Sequence, residues 1–414
     1  MKLRYEWNRR TFLGGMSALA GAFFTRKMSG LSQPGKSSLT GFGQSSNVYE
    51  ELGVTTVING EGTMTMLGGS LMRPEVEAVM ANASHHFVHM PELEVAAGKR
   101  IAELLKLPEG YTTLVTSGAA SAIQNGLCGV LTGDNEDFIR QLPDVTGMKS
   151  EVIIQKSHRN PFDHQLRATG VKLVEVETRE DVLRAVSPRT AMMHFSNFAN
   201  DNGRIKVDEW AKLAKEHQIP CFNDAAADVP PVSHLWDYTR MGYDLVAFSG
   251  GKAMRGPQCA GILIGRKDLV SYALLNMCPH EDTLGRSQKI GKEEIVGMVK
   301  AVELYLAEDQ EPLIREWWAR LDRISTQITK VPGVTTSFHV PGIANHVPHM
   351  NINWDPRRIN LTSRQVSEAL RSSKPAIVLG RSEEGLSMCS FMLQPGEDKI
   401  IAERLTQIFQ GHSA

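Results

Sequence analysis

Apolar and polar positions change their pattern twice along this 414-residue chain. A short apolar run near the start gives way to a stretch rich in Ser, Gly, Gln and Lys, which reads as a flexible tether up to about residue 46. From Tyr49 onward, apolar residues spaced three and four apart predict helices over 75–84, 93–107, 119–131, 179–186 and 208–217. Short apolar runs between and beyond them predict strands over 112–116, 151–155, 172–175, 190–195, 219–223, 244–248 and 261–264. Strands alternating with helices imply a three-layer α/β unit, its mostly parallel sheet covered on both faces. Past about residue 291 the pattern becomes two long helices, 292–308 and 312–330. Short strands follow over 335–339, 349–354, 376–379 and 386–391, with a helix over 362–372, which is a smaller α+β unit. The expected division is a leader and tether over 1–46, an arm over 47–95, a large domain over 96–290 and a small domain over 291–414.

Composition adds mainly exclusions. The chain is 42% hydrophobic and 22% charged, with a formal net charge of −1, so no basic footprint for nucleic acid is visible. Its five cysteines, Cys128, Cys221, Cys259, Cys278 and Cys389, are scattered and form no CxxC, which speaks against a disulfide framework or a zinc site. His85 and His89 are four apart, and His346 and His349 flank a Val-Pro pair, but neither set gains a further ligand, so no metal is expected. At the N-terminus, Arg9-Arg10 precedes Phe12 and Leu13 and a mild apolar run, the arrangement of a twin-arginine export signal. That run is about 14 residues, short of the roughly 20 that span a bilayer, so no stable membrane span is expected. The expected location is the periplasm, or the cytoplasm if the arginine pair is fortuitous.

Three motifs carry candidate chemistry, each at the end of an expected strand. In "LVTSGAASAIQNGL", residues 114–127, Ser117-Gly118-Ala119 opens a helix. Unpaired N–H groups there suit a phosphate, although a Ser-Gly turn also serves as a simple cap. In "IPCFNDAAADVPP", residues 219–231, Asp224 closes a strand, either capping the next turn or facing the crevice where α/β proteins bind ligands. In "DLVAFSGGKAMRGPQCAGILIG", residues 244–265, Ser249 and Lys252 lie between two apolar runs. The order suits pyridoxal 5′-phosphate: phosphate on the helix N-terminus, aspartate on the ring nitrogen, lysine as the Schiff-base partner. Around Lys252 a P-loop is excluded, because no GxxxxGK precedes a helix there.

The wording of these motifs resembles fold type I pyridoxal-phosphate enzymes. It is closer still to the selenocysteine-synthase-like family of L-seryl-tRNA(Sec) selenium transferase and D-glucosaminate-6-phosphate ammonia-lyase. "VINGEGTMTMLGG" (57–69), "MPELEVAAGKRIAELL" (90–105) and "VLGRSEEG" (378–385) also match that family, so the resemblance runs from Tyr49 to Gln410. It implies Lys252 as the cofactor-bearing lysine and proton-transfer base, and Asp224 as partner of the ring nitrogen. Ser117, Gly118, Ala119 and Ser249 would hold the phosphate. His158 would stack on the ring. Arg381 would clamp a substrate carboxylate, Arg255 would reach an anion, and Thr63, Thr65 and Ser70 would lie in an arm fed toward a partner's site. A homodimer or larger homo-oligomer is implied.

Two departures bear on activity. The selenium transferase has a separate N-terminal tRNA-binding domain, whereas here only the leader precedes Tyr49. Export and near-neutral charge both point away from selenocysteine synthesis. The expected activity is β-elimination from a small amino acid or amino sugar acid, giving a keto acid and ammonia. Racemisation or transamination, which use the same lysine and aspartate, and a non-catalytic relative of the fold remain the alternatives.

Overall fold

The computed structural model describes residues 47–382 and 384–412; the twin-arginine segment lies outside them. Residues 47–56 belong to a separate unit, in which Asn47 caps a short helix, Val48–Glu51, by accepting from the Tyr49 N–H. The remainder forms one compact unit with three sheets. Its strands are β1 (Val57–Asn59), β2 (Tyr111–Thr116), β3 (Glu151–Gln155), β4 (Lys172–Val176), β5 (Thr190–Ser196), β6 (Cys221–Asp224), β7 (Leu245–Ser249) and β8 (Gly261–Arg266). After them come β9 (Val334–His339), β10 (His349–Trp354), β11 (Ala376–Val378), β12 (Gly380–Arg381) and β13 (Gly385–Cys389).

The large sheet has the order β2-β8-β7-β6-β5-β3-β4. Strands β7, β6, β5, β3 and β4 pair in parallel, while β8 runs antiparallel to both of its neighbours, β7 and β2. The fold class is therefore the expected α/β arrangement with one reversed strand. Every residue of β3 and β5 is buried, which is why those strands read as continuous apolar runs rather than as an alternation. One boundary moved for a clear reason. The strand expected over 219–223 begins at Cys221, because Pro220 has no N–H to give the ladder. Helices His234–Met241 and Lys267–Leu275 were not anticipated; both are short and begin directly after a turn or strand.

The C-terminal sheet is antiparallel, in the order β12-β13-β10-β9. Burial alternates along β10, and its inward residues Met350 and Ile352 join Leu321, Ile324, Leu405 and Phe409 in a second core. The covering helices are Gln310–Ile328, Ser363–Arg371 and Glu397–Gln410. Strand β1 pairs in parallel with β11, which ties the start of this unit to its end. Among the described residues no helix is long and apolar enough to cross a membrane, and no group of three His, Cys, Asp or Glu side chains converges on a common point.

Candidate active site

Strand direction collects the site. Because β2 and β7 are both antiparallel to β8, their C-terminal ends lie at the same edge as those of β5 and β6. Gly261, the first residue of β8, pairs with Thr116 on one side and Ser249 on the other. The turn from β2 into helix Gly118–Thr132 passes against it. Gly118 has φ +77°, which favours glycine and swings the chain from strand to helix. A Cβ on Gly261 would lie 2.5 Å from the Gly118 carbonyl carbon and 2.8 Å from the Ala119 nitrogen, so that position also requires glycine.

A cavity of about 660 Å³ opens at this edge. Gly118, Ala119 and Ala120 form one end, at the helix N-terminus. Asp224, Ser249 and Lys252 form the floor. Asp224 accepts one hydrogen bond, from the Ala226 N–H at 3.2 Å, and is otherwise buried. Burial raises its pKa; the Ala226 bond and the Lys252 charge pull the other way. Burial lowers the Lys252 pKa, with Asp224 opposing. The lysine is thus moved toward the neutral, nucleophilic form, and the carboxylate lacks a direct cationic partner. A protonated ring nitrogen at Asp224, a phosphate at the free N–H groups of residues 118–120 and an aldehyde at Lys252 would each meet the group that these residues lack. Pyridoxal phosphate fits the cavity on those grounds.

Thr65 also lines the cavity. The structure therefore brings together Thr65, Gly118, Ala119, Asp224, Ser249 and Lys252 from the sequence expectations. Ser117 stands beside them as the residue preceding the helix, but does not line the space.

Four of the expected residues do not line the cavity. His158 does not line the cavity and is fully buried. It follows β3 in a tight 3₁₀ turn that points the imidazole inward, where Nδ1 accepts from the Ser196 N–H at 3.2 Å. Its edge meets Phe195 at a centroid distance of 4.5 Å. Burial, helped by the Lys206 charge, lowers its pKa to about 4. Arg255 donates from Nε to the Leu71 carbonyl at 2.8 Å and lines a separate cleft with Tyr305 and Glu308. Arg381 lies on β12 in an open surface pocket with Arg364, Ser367 and Arg371. Thr63 is buried next to Gly62, where an added Cβ would lie 2.9 Å from Cys389 Sγ, and is outside the cavity. As for the two histidine sets, His85 and His89 are exposed, while His349 stacks on His339 across β9 and β10.

The structure adds walls that sequence reasoning did not name. Phe162 and Phe198 line the cavity while remaining 60% and 49% exposed, so apolar surface flanks the space. Asn197 lies next to Phe198. Both follow the C-terminal end of β5, and Phe162 follows that of β3, where the strand-end rule already pointed. Met72, Met80 and Glu294 close another side. Ala344 reaches in from the loop between β9 and β10.

Known proteins resemble the chain over most of its length. It is 27% identical over 384 residues to the D-glucosaminate-6-phosphate ammonia lyase of Salmonella typhimurium (strain 14028s / SGSC 2262), covering 89% of this chain and 99% of that protein. It is 26% identical over 380 residues to a 5′-C-glycyluridine monooxygenase-decarboxylase of a Streptomyces species, covering 88% and 92%. A solved structure of D-glucosaminate-6-phosphate ammonia-lyase superposes with a TM-score of 0.75 at 25% identity, covering 89% of this chain and 99% of that one. The family model described as L-seryl-tRNA selenium transferase matches residues 57–316, more than half of the chain and all of the cavity floor. With that match, the sheet-edge lysine and the aspartate facing it, the chain belongs to the L-seryl-tRNA selenium transferase family and is a fold type I pyridoxal-phosphate-dependent enzyme.

Proposed function

We propose that this protein is a lyase that takes a small amino acid or amino sugar acid, removes its α-proton and expels a β-substituent, releasing a keto acid and ammonia. The observation that carries the reading is the half-buried Lys252 sharing one cavity with the buried Asp224. When bound, pyridoxal phosphate supplies an electron sink for the charge left at the α-carbon. The chain's residues do the rest. The Lys252 amine, moved toward its neutral form by burial, accepts the α-proton. The Asp224 carboxylate holds positive charge at the far side of the site. The N–H groups of residues 118–120 bind the phosphate and fix the depth of the cofactor. Phe162 and Phe198 keep bulk water from the reacting carbon. For a β-hydroxy substrate the hydroxyl leaves as water, and hydrolysis of the resulting enamine gives the keto acid and ammonia.

The similar lyase supports elimination, and the fit of its length to this chain supports the same catalytic scaffold. Exposed Met66 and Phe87, at 96% and 104% exposure, support a homo-oligomer in which another copy covers the arm. The Arg9-Arg10 leader supports twin-arginine export to the periplasm. The test is to incubate the purified, pyridoxal-phosphate-loaded protein with D-glucosaminate and a panel of amino acids, assaying ammonia and keto acid. Product from at least one substrate is expected. No product from any of them overturns the lyase reading, and deuterium exchange at Cα without ammonia redirects it to racemisation.

A further inference from the structure

Asp228 takes no part in the roles above, yet its carboxylate is fully buried four positions beyond Asp224. Groups from separate parts of the chain converge on it. Asn197 Nδ2 donates to Oδ2 at 2.6 Å, and the Tyr238 hydroxyl donates to the same oxygen. His234 Nδ1 lies 3.2 Å from Oδ2. The backbone N–H of Ala344 donates to Oδ1 at 2.7 Å, across 116 positions of sequence. A carboxylate can accept from all four at once; an amide cannot, because half of it is a donor.

Two of those donors, Asn197 and Ala344, line the cavity. Ala344 and Asn345 have φ +57° and +47°, backbone that side-chain-bearing residues rarely adopt. Such a conformation persists where surrounding bonds impose it. Here the Ala344 N–H is held by Asp228, and the Asn345 N–H donates to the Ala227 carbonyl at 2.7 Å. The β9–β10 loop of the C-terminal sheet is thereby pinned to the segment that follows Asp224. Asn197 and Ala344 are not among the groups suited to the cofactor, Asp224, Lys252 and residues 118–120, so the pinned wall is assigned to substrate.

We propose that Asp228 is a positioning residue that latches the β9–β10 loop onto the substrate side of the cavity. The latch sets how tightly substrate is enclosed and leaves cofactor attachment to Lys252 and Asp224. The role in substrate enclosure rests on the amino-acid reading above; the latch itself does not.

The experiment compares full-length, pyridoxal-phosphate-loaded wild type with Asp228→Asn and Asp228→Ala by hydrogen–deuterium exchange. Peptides covering residues 341–347 are read against peptides covering β3. Exchange at 341–347 is expected to accelerate about tenfold or more in at least one variant, with β3 unchanged. The cofactor absorbance and its affinity should stay at the wild-type level. With an amino acid that wild type turns over, KM should rise about tenfold while kcat falls less. Asp228→Asn keeps the side-chain shape and decides the matter if Asp228→Ala fails to fold. Unchanged exchange at 341–347 in every variant that folds overturns the latch, as does loss of cofactor affinity in step with faster exchange. A KM that stays at the wild-type value overturns the role in substrate enclosure. The exchange measurement needs no turnover, so a failed lyase assay is distinguishable from a failed latch.

Discussion

Asp224 and Lys252 face one cavity from the ends of paired strands, but no hydrogen bond or ion pair joins them. Each is perturbed mainly by burial, the lysine downward and the aspartate upward, and each partly restores the other's charge. This fixes the sign of a pH effect. Attachment of pyridoxal phosphate needs the neutral amine, so in apo-protein the attachment rate should rise with pH along a limb below the ordinary lysine value of 10.5. Asp224→Asn removes the charge that holds the lysine protonated, so it should move that limb to lower pH. The measurement is the growth of visible absorbance after mixing, as a function of pH. A limb that stays put in Asp224→Asn would show that the two groups are not coupled.

Lys252→Ala should remove the visible absorbance of bound cofactor and lower any turnover by about 10³-fold or more, since both the covalent anchor and the base are lost. Global stability should change little, because the deleted group is a desolvated amine with no hydrogen bond of its own among the described residues. A variant that keeps the absorbance would transfer the cofactor anchor to another lysine.

Gly261→Ala tests the cradle without touching a reacting group. Its Cβ would lie 2.5 Å from the Gly118 carbonyl carbon, so the helix N-terminus must shift. Overpacking of this kind costs about 1–3 kcal/mol, seen as a lower midpoint of unfolding. Pyridoxal phosphate affinity should fall as well, while pyridoxal without the phosphate should bind as weakly to the variant as to wild type. Equal phosphate dependence in both proteins would mean that residues 118–120 do not hold the phosphate.

The groups that could be read from sequence share a physical reason. Gly118, Asp224, Ser249 and Lys252 stand at or just past ends of buried strands, and a parallel sheet gathers such ends on one edge. The apolar runs marked those strands to within a residue or two because buried strands need no alternation. Phe162, Asn197 and Phe198 obey the same rule and were within reach of it. Glu294 and Ala344 were not, because they join the cavity through long-range packing that leaves no local spacing signal. Arg255 and Arg381 show the complementary limit. A guanidinium has a suitable chemistry, but the direction of its side chain depends on partners such as, for Arg255, the Leu71 carbonyl.

Glu94 carries a separate pH prediction. It is buried in helix Met90–Leu104, neither oxygen has a hydrogen-bond partner, and burial raises its pKa from 4.5 to about 7. A group whose pKa is raised on folding favours the folded state fully below the unfolded value and loses that contribution as pH climbs through the folded one. Stability should therefore decline between pH 4.5 and about 7 through this residue. Glu94→Gln mimics the protonated form, so it should match wild type in acid and exceed it above neutrality by on the order of 1 kcal/mol. Thermal unfolding across that window checks it. Identical pH profiles would place a partner cation on Glu94.

His158 gives the sharpest contrast between a cofactor contact and a packing role. Its imidazole is buried against Phe195, with Nδ1 on the Ser196 N–H and Nε2 3.1 Å from the Gln155 side chain. Burial, with the Lys206 charge second, lowers its pKa from 6.5 to about 4. The unfolded chain then binds more protons between those values, so the stability that this residue contributes above pH 6.5 is lost as pH falls toward about 4. His158→Leu should flatten that acid limb. It should also cost about 2–4 kcal/mol near neutrality, because the Ser196 N–H loses its acceptor inside the core. Cofactor absorbance and affinity should survive in the folded variant. A variant of wild-type stability with a shifted cofactor spectrum would instead return His158 to the ring face, and unfolding curves recorded beside absorbance spectra on the same preparation separate the two outcomes.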